Sequence, residues 1–147
     1  MKDWTGNSDS VYKTIGARNH AAEARQDDDY YATDPLAIDK LLTVERPSDY
    51  IWECACGEGH LAKRLRERGH FYLISSDIVY RDGCTYVADF LKLDDAPGFK
   101  GVDGFDIVTN PPYKYAKEFV LKVLELLPEG CRCYMFLKLT FLEGSAV

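Results

Sequence analysis

The chain has no apolar run of membrane length: nothing in its 147 residues approaches the ~20 consecutive apolar positions that a spanning helix requires. Its opening, Met1-Lys2-Asp3-Trp4-Thr5-Gly6, lacks the apolar core of a signal peptide, so a cytoplasmic protein is the default expectation. Cationic excess is missing as well. The 18 Lys and Arg stand against 24 Asp and Glu, a net charge of −6, which argues against strong non-specific nucleic-acid binding by the whole surface but not by one face. Histidine is scarce: His20, His60 and His70 offer no obvious general base and read as structural or surface residues. The five cysteines are an odd number in a chain without secretory features, and are expected as reduced thiols. Cys54/Cys56 and Cys131/Cys133 have a C-x-C spacing unlike that of a zinc knuckle and fall in or beside strands, so no metal is expected.

What is present suffices for one small domain with a packed core: 46% of residues are hydrophobic and 13% aromatic. Residues 1–26 are polar and without a sustained period, an irregular N-terminal arm; residues 27–147 form the domain. Asp34-Pro35 reads as an N-cap and first helical residue, with Leu36, Ala37, Ile38, Leu41 and Leu42 as the apolar face behind it. Strands and helices then alternate. Strand 50–54 leads through Gly57 and Gly59 into a helix over 60–68, whose Lys63, Arg64, Arg66 and Arg68 read as a solvated side. Strands follow at 71–76, 85–88 and 105–109, then a helix over 114–127 with Tyr115, Phe119, Val120, Val123, Leu124 and Leu127 on one side. A nearly continuous apolar strand over 131–139 comes last. This alternation predicts an α/β fold, a mainly parallel sheet with helices on both faces.

Polar groups gather where these strands end, the edge at which open α/β sheets bind ligands. Asn110-Pro111-Pro112-Tyr113 follows strand 105–109 directly. Pro111 holds Asn110 out of the α region, so its side chain and carbonyl project. The turn presents acceptors beside a flat ring, which suits a planar group carrying an exocyclic NH2. Glu53 closes the first strand, and Gly57 and Gly59 let backbone approach a ligand. Asp77 follows Gly57 at the interval of an acid that grips ribose hydroxyls, and Asp89 ends the third strand. An acidic rim of Glu53, Glu58, Asp77 and Asp89 suits a cationic, hydroxyl-rich ligand without phosphate, as S-adenosylmethionine is. Each acid alone is more often a turn or cap residue; their joint placement points to a site.

Taken in order, these segments resemble the S-adenosylmethionine-dependent methyltransferases that act on exocyclic amino groups, especially the DNA adenine-N6 type. Residues Glu53 to Gly59 look like the family's first motif, Ser76-Asp77-Ile78 its second, Ala88-Asp89-Phe90 its third, and Asn110-Pro111-Pro112-Tyr113 its catalytic motif. Tyr30-Tyr31-Ala32-Thr33-Asp34-Pro35 resembles the cofactor motif that precedes the glycine loop. Trp4-Thr5-Gly6-Asn7 and Asn19-His20 resemble the openings of small phage- or prophage-type enzymes. The resemblance implies a Rossmann-like methyltransferase fold with catalysis at Asn110, Pro111, Pro112 and Tyr113. It further implies S-adenosylmethionine held by Tyr30, Tyr31, Thr33, Glu53, Ala55, Gly57, Gly59, Asp77, Ile78, Asp89 and Phe90, and DNA as the partner, its target base flipped out. The family sheet usually continues past the fifth strand, whereas this chain stops at Val147 and carries no target-recognition domain. A truncated fold with an exposed fifth strand is therefore expected to self-associate or take a partner segment. The same turn also suits RNA-base or protein-glutamine methylation, and a non-catalytic domain that binds cofactor or acts through a partner is the reading from another class.

Overall fold

Strand Tyr50–Glu53 is buried from Ile51 onward because packing covers it on both faces, and that sandwich organises the chain. The computed structural model describes residues 33–80, 84–96, 98–99 and 101–143. The expectations for the arm 1–26 and for Tyr30 and Tyr31 lie outside the described residues. Helix α1 spans Leu36–Val44, strand β1 Tyr50–Glu53, α2 His60–Glu67, β2 Tyr72–Asp77, β3 Tyr86–Val87, β4 Asp106–Thr109, α3 Ala116–Leu126 and β5 Cys133–Met135. Single turns of 3-10 helix occupy Phe90–Lys92, Tyr113–Tyr115 and Leu139–Glu143. All five strands are parallel, in the order β3-β2-β1-β4-β5. Among the described residues no helix is long and apolar enough to cross a membrane.

Two cores flank the sheet. On one side α1 and α2 bring Ile38, Leu61, Ala62 and Leu65 onto Ile51, Leu73 and Val108. On the other, Trp52, Phe90, Phe99, Phe105, Ile107, Phe119 and Val123 form an aromatic layer beneath α3. Alternate residues of β1 and β4 serve opposite faces, as the pleat requires. In the aromatic layer Phe99 stacks on Phe105 with centroids 4.7 Å apart, and Phe90 stacks on Phe119 at 4.9 Å. Trp52 meets Phe90 edge-on and donates its indole N–H to Ser76 Oγ at 2.9 Å. The buried polar end of the tryptophan is thus satisfied within the sheet.

Several expectations shift. Asp34 does act at the head of α1, its carboxylate accepting the Leu36 N–H at 2.9 Å. Arg64 and Arg68 are not merely solvated: both bind Asp39, tying α2 to α1. Leu124 is 73% exposed, because Ala116, Phe119 and Val123 set the buried stripe of α3 and Leu124 lies one residue around from it. The fifth strand shrinks from 131–139 to three residues. Its ladder can extend only as far as β4 supplies partners, and β4 runs into two prolines without N–H groups; the last bond is Phe136 N–H to Thr109 O at 2.9 Å. Among the described residues β5 pairs with β4 alone.

The cysteine expectation is corrected in part. Cys56 and Cys84 are joined as a disulfide, while Cys54, Cys131 and Cys133 are free thiols. The loop after β1 and the approach to β3 converge over the same sheet edge, a proximity that an odd count could not reveal. Burial raises the Cys54 thiol well above its ordinary range and pushes Cys133 up to about 12, so both remain protonated and inert.

A consequence for stability follows from Cys133. Its folded thiol titrates far above the unfolded one, so above about pH 9 the unfolded chain releases a proton that the folded chain keeps. Urea midpoints should therefore hold below pH 9 and fall above it, by up to about 1.4 kcal/mol per pH unit for this group. Cys54, raised in the same way, adds to that fall, so Cys133→Ser should lessen the slope without abolishing it; an equally steep fall in the variant would assign the effect elsewhere.

Candidate functional site

The strand order reverses between β1 and β4, the place where an open α/β sheet leaves a crevice at its carboxyl edge. Glu53 ends β1 there and is only 1% exposed. Its Oε1 accepts the Ala55 N–H at 3.0 Å and is also hydrogen-bonded by the hydroxyl of Thr109, the last residue of β4. Thr109 was not singled out by the motif reading, since a threonine at a strand end is unremarkable until its partner is known. A carboxylate buried this deeply is tolerable only with such partners.

Asp77, at the end of β2, is fully buried. One of its oxygens accepts the Gly57 N–H at 2.8 Å and the other faces the Val79 N–H at 3.4 Å. The carboxylate thus fixes the glycine loop from beneath, alongside the Cys56 N–H bond to Ser76 O at 2.9 Å. Gly57 and Gly59 have φ of 55° and 87°, and this left-handed backbone turns the chain from β1 into α2. Asp89 caps the Phe90–Lys92 turn by accepting the Leu91 N–H at 3.2 Å, and it remains partly exposed. His60 opens α2 beside Glu58; burial lowers its pKa, so it is neutral at neutral pH.

A cavity of about 230 Å³ opens beside these groups. Ala55, Ile78, Asp89 and Phe90 line it, as do Pro112, Tyr115 and Phe119. The first four and Pro112 belong to the sequence motifs, whereas Tyr115 and Phe119 read from the sequence only as the inner face of a helix. Phe90 is 3% exposed and wedged between Trp52 and Phe119, so it forms a wall of the cavity rather than a projecting ring. Apolar walls with one carboxylate at the rim suit a flat heterocycle bearing a polar edge. Glu53, Gly57, Gly59 and Asp77 do not line this cavity; they build the loop next to it.

The Asn110–Tyr113 turn occupies the β4 end of the same edge. Pro111 and Pro112 are buried, and the Pro112 carbonyl accepts the Tyr115 N–H at 3.0 Å, which folds Tyr113 into the turn that starts α3. Asn110 Nδ2 donates to Thr33 Oγ1 at 2.6 Å. That bond joins residues 77 apart and sets the amide's orientation, with the acceptor Oδ1 on the side away from Thr33. Thr33, expected among the cofactor residues, is therefore placed against Asn110. Lys138 Nζ lies 4.7 Å from the centroid of the Tyr113 ring.

A wider groove of about 680 Å³ lies at the opposite, amino edge of the sheet, among Arg46, Tyr50, Asp106 and Arg132. Asp106 there is already bound to the backbone N–H groups of Ser48 and Arg132, both at 2.8 Å. Size alone does not make it the site; none of the strand-end acids or the Asn110 turn lines it. Among the described residues no group of three or more His, Cys, Asp and Glu could hold a metal ion. No family model and no curated protein matches the chain.

Asp77→Ala would leave the Gly57 N–H buried without its acceptor. The expected cost is about 1–3 kcal/mol of stability, read as a lowered urea midpoint. An unchanged midpoint would mean that the glycine loop does not depend on Asp77.

Proposed function

We propose that the chain binds S-adenosylmethionine at the carboxyl edge of β1, β2 and β3 and transfers its methyl group to the N6 amino group of adenine in DNA. The observation that carries this reading is the convergence, at the strand-order reversal, of the Asn110 turn with an apolar cavity and a buried acid-and-glycine loop. On this reading the sheet is the core of a Rossmann-like methyltransferase fold. The residues suit the cofactor. The slot between Ile78, Phe90 and Phe119 accepts a purine, with Asp89 at its rim for the exocyclic amine. Glu53 and Glu58 supply negative charge beside the glycine loop for the sulfonium and amino groups, and Asp77 acts by holding that loop. When bound, S-adenosylmethionine supplies an electrophilic methyl group.

The chain's own residues do the orienting. Adenine N6 is a poor nucleophile because its lone pair is delocalised into the ring. Asn110 Oδ1 and the Pro111 carbonyl accept its two hydrogens, favouring a more tetrahedral nitrogen with the lone pair directed at the methyl carbon. Thr33 holds the Asn110 amide in the orientation that this requires. Tyr113 stacks on a base taken out of the duplex. Catalysis then rests on positioning and electrostatics, without a strong general base, since the methylated nitrogen readily loses its proton to water.

Tritiated-methyl transfer assayed in parallel on DNA, RNA and protein pools tests the substrate: label in DNA adenine supports the reading, and label in RNA or protein alone defeats it. Asn110→Ala should abolish transfer while calorimetry finds S-adenosylmethionine affinity nearly intact. Thr33→Val, which removes only the hydroxyl that orients Asn110, should lower kcat by roughly tenfold or more, as expected for about 1.4 kcal/mol of lost alignment. Full activity in Thr33→Val would show that the asparagine needs no such support.

A further inference from the structure

The covalent link beside the site has no part in methyl transfer. Cys56 and Cys84, 28 residues apart, join the glycine loop to the segment that enters β3. Each end also has hydrogen bonds to β2 of its own. On the loop side the Cys56 N–H donates to Ser76 O at 2.9 Å, and the Gly57 N–H donates to Asp77 Oδ2 at 2.8 Å. Next to Cys84, the Thr85 N–H donates to Ser75 O at 2.8 Å, and Thr85 Oγ1 accepts the Ser75 N–H at 3.1 Å. The disulfide is therefore not the sole anchor of either segment, and opening it leaves both attached to the sheet. A thiol pair is provided for as well. The sulfurs of Cys56 and Cys84 lie 3.5 and 3.9 Å from the Gly57 carbonyl oxygen, an acceptor within reach of either S–H once the bond is open. The two sulfurs differ in access: Cys56 is 7% exposed, whereas Cys84 is half-buried. A thiolate from solution reaches Cys84.

We propose that Cys56 and Cys84 form a reversible dithiol–disulfide clamp on the glycine loop, worked by exchange with low-molecular-weight thiols and disulfides. To open it, a thiolate attacks the sulfur of Cys84 and forms a mixed disulfide there. The bond between Cys56 and Cys84 breaks, and its electron pair leaves with Cys56, which takes a proton from water. A second small thiolate then attacks the small-molecule sulfur of the mixed disulfide and releases Cys84, which is protonated in turn. Overall, two electrons and two protons pass from two small thiols to the protein, and the small thiols become one disulfide. Closure is the reverse, with a small disulfide as the oxidant. Cys56 stands between Ala55, which lines the cavity, and Gly57, which Asp77 holds, so the clamp acts on the stretch of backbone beside the cavity. Closed, it restricts the loop before a ligand arrives, and less ordering then opposes binding. The closed form binds a ligand at this edge more tightly, an effect that for S-adenosylmethionine rests on the function proposed above.

The test equilibrates the full chain in mixtures of reduced and oxidised glutathione, quenches with acid, labels thiols with a maleimide and reads each cysteine by peptide mass. Cys56 and Cys84 should gain and lose label together across the series and recover when the mixture is reversed. A pair that stays bonded in fully reduced glutathione, or stays as thiols in fully oxidised glutathione, overturns the clamp. Hydrogen exchange reads the loop: the amides of Ala55 to Gly59 should exchange at least about fivefold faster in the reduced chain. Cys84→Ser, which cannot close the bond, should match the reduced chain in both buffers, with circular dichroism melting to check its folding. Equal exchange in the two states of the wild-type chain overturns the clamp whatever that variant does. Calorimetry reads the ligand, and reduction should weaken S-adenosylmethionine affinity by at least about fivefold. Equal affinity in both states overturns the effect on the cofactor. No binding in either state, with label and exchange still switching, defeats the proposed function and leaves the clamp standing.

Discussion

The buried carboxylate of Glu53 bridges the two halves of the sheet, and the site is built outward from it. It sits at the end of β1, takes the Ala55 N–H of the glycine loop, and meets the hydroxyl of Thr109 at the end of β4. A burial this complete would be costly for an isolated charge, so the loop and β4 must both be in register for the fold to tolerate it. Asp77 repeats the device one strand over, bracing the same loop through Gly57. Two buried acids thus brace the loop that stands beside the crevice.

The aromatic layer does complementary work. Trp52, Phe90, Phe105 and Phe119 wedge against one another beneath α3, and the same Phe90 and Phe119 rings form walls of the cavity. Core and site are therefore one structure seen from two sides. The cavity shares its walls with the core, and a side chain that reads as ordinary helix packing, such as Phe119, turns out to line it. On the opposite face the smaller aliphatic core under α1 and α2 has no such double use; its special feature is the Asp39–Arg64–Arg68 cluster that ties the two helices together.

The β4 terminus shows how one local sequence has several structural consequences. Two consecutive prolines end the hydrogen-bonding capacity of β4, which cuts β5 to three residues and sends the chain toward Lys138. They also follow directly on Asn110 at the carboxyl end of β4 and start the turn that leads into α3. The ring of Tyr113 and the ammonium of Lys138 are neighbours because of that single interruption. The disulfide between Cys56 and Cys84 draws a further segment onto the same edge.

The sequence by itself determined the α/β class, the order of strands and helices, and the gathering of Glu53, Asp77, Asp89 and Asn110 at strand ends. Those features follow from apolar periodicity, glycine and proline, all of which act over a few residues. Strand lengths were less legible, since the extent of β5 depends on what β4 can offer and not on its own apolar run. Pairings between distant segments were not legible at all. Thr33 on Asn110, Thr109 on Glu53, Cys56 on Cys84 and Lys138 on Tyr113 join residues from 25 to 77 positions apart. No local signal encodes such contacts, and only the parallel stacking of the strands, which brings their carboxyl ends to one edge, decided them.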